Sequence, residues 1–214
     1  MFMTALVTVV AAYLIGSINF AVIFAKAFLK KDVRELGSGN AGATNVMRNA
    51  GALPGALTFL CDALKGLVAS LMGKLIFDYV GTVSDEVWAI GIYGAYACGL
   101  ACMLGHVFPI FFQFKGGKGV ATSVGIFAIC SPWSILIGLG VFAVSLIIFR
   151  MVSLSSLTAT VVVVVCTIIF SNEYVSLLPQ VLLTVAMALI IIIKHKENIK
   201  RLLTGTESKI GKKG

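Results

Sequence analysis

The chain has 214 residues, 59% of them hydrophobic and 12% charged, with a mean hydropathy of +1.02. Soluble domains carry an apolar share nearer ~45–50%, so an ordinary soluble fold is excluded and an integral membrane protein is specified. The net charge of +8 would suggest nucleic acid in a soluble chain, but here the basic residues flank apolar runs, where they set orientation in a bilayer, and no nucleic-acid partner is expected.

Seven apolar segments follow one another at 4–25, 53–77, 87–105, 120–131, 133–149, 155–171 and 178–193. The first continues past Gly16 with no basic stretch ahead of it, which reads as an uncleaved span rather than a signal peptide. The fourth and fifth are short and divided only by Ser131 and Pro132, so they either both cross or turn back as a re-entrant hairpin. The expected fold is an all-α integral membrane protein with seven transmembrane helices, forming a single domain over residues 1–214.

Charge placement gives that topology a direction. With the N-terminus outside, the outer connections hold Asp78, Asp85, Glu86 and Glu173 but no Lys or Arg. The inner segments hold Lys26, Lys30, Lys31, Arg34, Arg48, Lys115, Lys118, Arg150, Lys194, Lys196, Lys200, Arg201, Lys209, Lys212 and Lys213, which is 15 of the 17 basic residues. Only Lys65 and Lys74 lie inside a span. The C-terminus and every segment rich in glycine or polar residues then face the cytoplasm, in the inner membrane if the cell is bacterial.

Along the chain, the first inner loop reads LGSGNAGATNVMRNAG, residues 36–51. Gly37, Gly39 and Gly42 permit unusual backbone angles, and Ser38, Asn40, Thr44, Asn45 and Arg48 offer hydroxyl, amide and guanidinium donors suited to a phosphate. The same residue types also build any tight loop. Asp62 and Lys65, three apart in the second span, are expected to face the bundle as a buried structural ion pair, because a charge at that depth costs ~2.5–3.5 kcal/mol unpaired.

The second inner loop, HVFPIFFQFKGGKGVAT at 106–122, interrupts the apolar sequence with Gly116, Gly117, Gly119, Lys115 and Lys118. Its backbone N–H groups, two ammonium groups and a helix starting near Val120 would converge on an anion, phosphate first among them. It is not a Walker loop, since Gly119 rather than Ser or Thr follows Lys118. Past the last span, KHKENIKRLLTGTESK at 194–209 places His195 and Asn198 three apart on one helix face, with Glu197 and Arg201 four apart and able to pair. Ser17 and Asn19, and Ser153, Ser155 and Ser156, either tie helices together or line a site. The five cysteines are scattered without metal or redox spacing and read as small hydrophobes, so no metal is expected.

Taken together, GSGNAGATN with Arg48, GH-x-FP-x-F-x-x-FKGGKGVAT, and H-x-x-NI-x-RL-x-x-GTE-x-K resemble the three motifs of the bacterial glycerol-3-phosphate acyltransferases that use acyl phosphate, the PlsY family. The resemblance implies transfer of a fatty acyl group from acyl phosphate to the first-position hydroxyl of glycerol 3-phosphate. The products would be 1-acyl-glycerol 3-phosphate (lysophosphatidic acid) and inorganic phosphate, at the entry to phospholipid synthesis. It places Ser38 and Arg48, then Lys115, Gly116, Gly117 and Lys118, then His195 and Asn198 in the site, with Ser153 less firmly aligned because Ser155 and Ser156 stand nearby. Gly39, Asn40, Thr44 and Asn45 complete the phosphate-binding set of the first motif. The partners implied are glycerol 3-phosphate, acyl phosphate and membrane lipid, with no cofactor and a monomeric chain.

The sequence has no G-x-S-x-G elbow and no Asp five residues after either His106 or His195, so direct attack without an acyl-enzyme is the simpler scheme. An acyl phosphate already carries a stable leaving group, and the protein need mainly hold two dianions together. The proton goes either to His195 or to a substrate phosphate oxygen. A transporter for a phosphorylated solute is the rival reading, since basic inner loops and buried charges would suit one.

Overall fold

The computed structural model describes residues 2–84, 90–170 and 177–211, with the side chain of residue 84 excepted; Asp85, Glu86, Glu173, Lys212 and Lys213 of the charge argument lie outside them. The described residues are helical, joined by short turns. In order they form α1 (Phe2–Gly16), α2 (Phe20–Leu29), α3 (Ala43–Ala50), α4 (Ala52–Ser84), α5 (Gly91–Val107), α6 (Val120–Cys130), α7 (Pro132–Phe149), α8 (Val152–Phe170), α9 (Leu177–Lys194) and α10 (Lys196–Leu203). Single 3-10 turns, Val33–Glu35 and Ile110–Phe112, sit in the two glycine-rich loops.

Among the described residues six helical runs are long and apolar enough to cross a bilayer: Phe2–Leu29, Ala52–Val83, Gly91–Phe112, Pro132–Phe149, Val152–Phe170 and Leu177–Lys194. The fourth of the seven expected spans is α6, whose 11 residues reach only about 16 Å against a hydrocarbon core of about 30 Å. The fifth, α7, has 18 residues and is of spanning length.

The first span differs from its hydropathy profile, which is unbroken. Its helix stops at Gly16 and restarts at Phe20, because the Asn19 side chain accepts a hydrogen bond from Val22 N at 3.2 Å and caps a new helix. A short amide competes with the backbone in a way that hydropathy does not register.

Two compact units divide the chain, residues 1–130 and 131–214. In the first unit α4 is the axis, packing on α1, α2, α3, α5 and α6. Glycines set how close these helices come. A Cβ on Gly66 would strike the Thr122 carbonyl and one on Gly125 the Ala63 carbonyl, so α4 and α6 meet backbone to backbone. Gly16 and Gly105 do the same for α1 and α5. In lipid, where burying apolar area between helices gains little, such close van der Waals contact is what holds them. Asp78 near the end of α4 accepts from Gly91 N at 2.7 Å and so caps α5. In the second unit α7 packs on α8, α8 on α9, and α9 on α10. Large apolar side chains such as Leu75, Ile147, Ile169 and Leu182 are exposed, as lipid-facing positions require.

Candidate active site

The first glycine-rich loop is organised by its own polar side chains and by those of the 3-10 turn that precedes it. Asp32 caps the 3-10 turn and grips Arg34 through both carboxylate oxygens, at 3.0 Å to Nε and 2.8 Å to Nη2. The Arg34 guanidinium beside Asp32 holds that carboxyl below the usual carboxylate range. Arg34 Nη1 also donates to the Phe112 carbonyl at 2.9 Å, fastening the first loop to the second. Beneath both, Val33, Ala41 and Val46 share one buried cluster with Ala21, Val22 and Ala25, and Phe112 packs against it.

Within this loop Asn45 is buried and fully engaged. Its Nδ2 donates to the carbonyls of Val33, Leu36 and Asn40 at 2.9–3.0 Å, and its Oδ1 accepts from Ser38 N at 3.2 Å and from Asn49 Nδ2 at 3.1 Å. Asn45, anticipated as a phosphate ligand, is thus the pin on which the loop is wound. Gly37 and Gly39 take the positive φ values of +53° and +69° that the winding demands. Ser38 and Arg48 are exposed, whereas Asn40 and Thr44 are half-buried. Arg48 stands on α3, the eight-residue helix that closes the loop.

The second loop leaves α5 at Val107, and Gln113 and Phe114 both adopt left-handed backbone, at φ 59° and 58°. Phe114 N bonds back to Pro109 O at 2.9 Å, Lys115 N to Phe112 O at 3.2 Å, and Gly117 N to His106 O at 3.1 Å. The turn is therefore folded on itself, with Lys115 exposed, Gly116 and Lys118 half-buried and Gly117 buried. A Cβ on Gly116 would overlap the His106 carbonyl, and one on Gly117 would overlap the His106 ring and lie 2.7 Å from Ala41 O, so only glycine fits at either place. Helix α6 then starts at Val120, where the sequence puts it, and its N-terminal end faces the turn it leaves.

Below these loops Asp62 and Lys65 form the expected ion pair, Oδ1 to Nζ 2.8 Å, with side chains only 2% and 3% exposed. Sequence reasoning missed the rest of the cluster. Lys65 Nζ donates to Ile18 O at 2.7 Å, taking up a carbonyl at the break between α1 and α2, and lies 5.6 Å from the Phe20 ring centre. His106 Nδ1 stands 3.5 Å from Asp62 Oδ1.

In the second unit, α9 ends at Lys194 and α10 begins at Lys196, with buried His195 at the joint. His195 Nδ1 lies 2.8 Å from Ile191 O, so that nitrogen carries the proton of the neutral ring and Nε2 is the basic one. Asn198 is the buried residue of α10, in keeping with a face shared with His195. The expected Glu197–Arg201 pair is not the one made. Arg201 Nε instead donates to Glu207 Oε2 at 2.7 Å, while Glu207 Oε1 accepts from Ser153 Oγ and Asn198 Nδ2, both at 2.7 Å. Ser155 bonds instead to Met151 O and to Ser145 Oγ, and Ser156 to Val152 O. Burial by itself would raise the Glu207 carboxyl, but the three hydrogen bonds outweigh it and hold it below the usual range.

The chain is similar to known proteins over nearly its whole length. The sequence profile of the family described as Glycerol-3-phosphate acyltransferase matches residues 6–205. The chain belongs to this family. Its relatives include the Glycerol-3-phosphate acyltransferase 2 of Bacillus anthracis, 40% identical over 205 residues, 96% of this chain and 98% of the relative. The Glycerol-3-phosphate acyltransferase of Neisseria meningitidis serogroup B is 44% identical over 203 residues, 95% and 96% of the two chains. Among solved structures, the glycerol 3-phosphate form of PlsY (YgiH), an integral membrane glycerol 3-phosphate acyltransferase, superposes with a TM-score of 0.83 at 38% identity, covering 97% of this chain and 96% of that one. The lysophosphatidic acid form of the same enzyme gives 0.80, again at 38% identity, covering 97% and 95%.

Proposed function

We propose that the whole chain is one transmembrane acyltransferase that moves a fatty acyl group from acyl phosphate to the sn-1 hydroxyl of glycerol 3-phosphate. The hydroxyl oxygen attacks the acyl carbonyl carbon, the bond from that carbon to the phosphate oxygen breaks, and inorganic phosphate leaves. Lysophosphatidic acid is the other product, and no acyl-enzyme forms. The observation that carries the reading is family membership together with a turn, Lys115 to Lys118, in which only glycine fits beside two lysines. The solved relative's glycerol 3-phosphate and lysophosphatidic acid forms support the acceptor and the product. The donor is supported by the resemblance of the three motifs.

In this reading Arg48, Lys115, Lys118 and the backbone of Gly116 and Gly117 neutralise phosphate charge, which is the larger part of the catalysis. Gly39, Asn40, Thr44 and Ser153 complete the phosphate-binding set, with Asn45 shaping the first loop. Ser38, His195 and Asn198 orient the attacking hydroxyl, whose proton goes to His195 Nε2 or to a phosphate oxygen. The chain works as a monomer in the bacterial inner membrane, its N-terminus outside and its glycine turns at the cytoplasmic interface, drawing the acyl donor from lipid.

The test is conversion of radiolabelled glycerol 3-phosphate in detergent micelles, with acyl phosphate, acyl-CoA and acyl carrier protein offered separately. Lipid-soluble label is expected with acyl phosphate alone. Equal product from a thioester would overturn the donor, and no product from any of them would return the transporter reading, which needs sealed vesicles. Near-normal turnover by His195→Ala at saturating substrate would assign the proton to phosphate.

A further inference from the structure

The buried charge cluster at the lower face of the second loop is larger than an ion pair needs to be. As fold glue alone, Asp62 and Lys65 would be matched or bettered by apolar residues of similar size, because desolvating two charges offsets most of their attraction. The cluster has two outputs instead. Through Lys65 it holds Ile18 O at 2.7 Å, and through Asp62 it faces the Nδ1 side of the His106 ring at 3.5 Å. The other side of that ring, Nε2 and Cε1, fills the place where a Gly117 side chain would start, and Ala41 O from the first loop lies 2.7 Å from the same point. His106 O meanwhile accepts from Gly117 N at 3.1 Å. One residue therefore touches the Gly-Gly turn through both its ring and its backbone, and its ring is backed by a buried carboxylate.

We propose that His106 is a positioning residue for acyl transfer: its imidazole, turned by Asp62, is the spacer that sets the height of the Gly116–Gly117 turn and hence where Lys115, Lys118 and the turn's N–H groups meet phosphate. This rests on the reading given under Proposed function. With Nδ1 3.5 Å from a buried carboxylate oxygen, electrostatic attraction favours one ring orientation, and the turn resting on the ring keeps one shape. A ring free to rotate would let the turn settle into several, and a phosphate would have to select among them.

Three variants test this in micelles: His106→Phe, which keeps bulk without polarity; His106→Asn, whose amide occupies the place of Nδ1; and Asp62→Asn. For folded, monodisperse protein, His106→Phe is expected to raise KM for a phosphate-bearing substrate about tenfold, because phosphate must then select one turn shape among several, with kcat within about threefold. His106→Asn should recover most of the loss, and Asp62→Asn combined with His106→Phe should be no worse than the worse single change, since both act along one path. Unchanged KM in folded variants, additive losses, or a fall in kcat alone would overturn the proposal. If His106→Phe does not fold, His106→Gln, which fills the Nε2 position, is measured by the same split. Binding of inorganic phosphate to the resting protein, followed by thermal shift, separates the two readings. If wild type transfers no acyl group, the function falls, while an unchanged phosphate affinity in the His106 variants sinks the positioning role independently.

Discussion

Replacing Asn45 by alanine gives a prediction whose size follows from the hydrogen bonds it makes. The amide donates to three carbonyls of its own loop and accepts from Ser38 N and Asn49 Nδ2, all at 2.9–3.2 Å. Each such bond contributes about 1 kcal/mol net. The loop is exposed at Gly37, Ser38 and Gly39, so water can replace some of the partners, and about 3 kcal/mol of local stability should go, enough to raise the open fraction of residues 33–45 by roughly a hundredfold. Amide hydrogen exchange reads this directly at Ser38, whose N–H is bonded to Asn45, and at Gly39, whose N–H bonds to Leu36 O at 2.9 Å. Both should exchange about two orders of magnitude faster in Asn45→Ala, with KM for phosphate-bearing substrate rising and the helices of the second unit unaffected. Exchange at Ser38 and Gly39 equal to wild type would refute the view that Asn45 shapes the loop, and would return it to the role of ligand.

Two further outcomes are expected. Glu207 has a depressed pKa, so the stability it contributes is complete above the unfolded carboxylate value of about 4.3 and is lost as pH falls through the lower folded value. Glu207→Gln keeps an acceptor for Ser153 and Asn198 but not the charge facing Arg201, which is 39% exposed, and should cost about 1 kcal/mol while flattening that acid limb in thermal unfolding. A mutant acid profile identical to wild type would show that the carboxylate is not held as described. Gly125→Leu drives a side chain at the Ala63 carbonyl and should lower the unfolding midpoint through at least ~1–3 kcal/mol of overpacking; an unshifted midpoint would mean that α4 and α6 do not meet there.

What the sequence reveals and what it hides divide along physical lines. Apolar runs long enough to cross are legible because hydropathy is a sum over many residues, and the start of α6 at Val120 is legible because the glycine turn precedes it. The break at Asn19 and the joint at His195 are hidden, since each depends on one side chain or one backbone angle within an otherwise continuous run. Asn45 shows how a polar loop reads two ways: a residue able to bind phosphate is equally able to bind peptide carbonyls, and its bonds to Val33, Leu36 and Asn40 cannot be read from the sequence. Glu207 lay inside the third motif, yet its contact with Asn198 spans nine residues across the turn at Gly205, where no helical period applies. Ser153 differs from Ser155 and Ser156 in bonding to the same carboxylate, a contact 54 residues away in sequence that no local pattern announces.

The segment after α10 is fastened at two points, by Glu207 to Ser153, Asn198 and Arg201, and by Ile210 N to Arg150 O at 2.8 Å. Such a tail behaves as a strap. Pulling on either fastening would load the joint that seats Asn198, so a change as far along the chain as Ile210 can be felt at that amide.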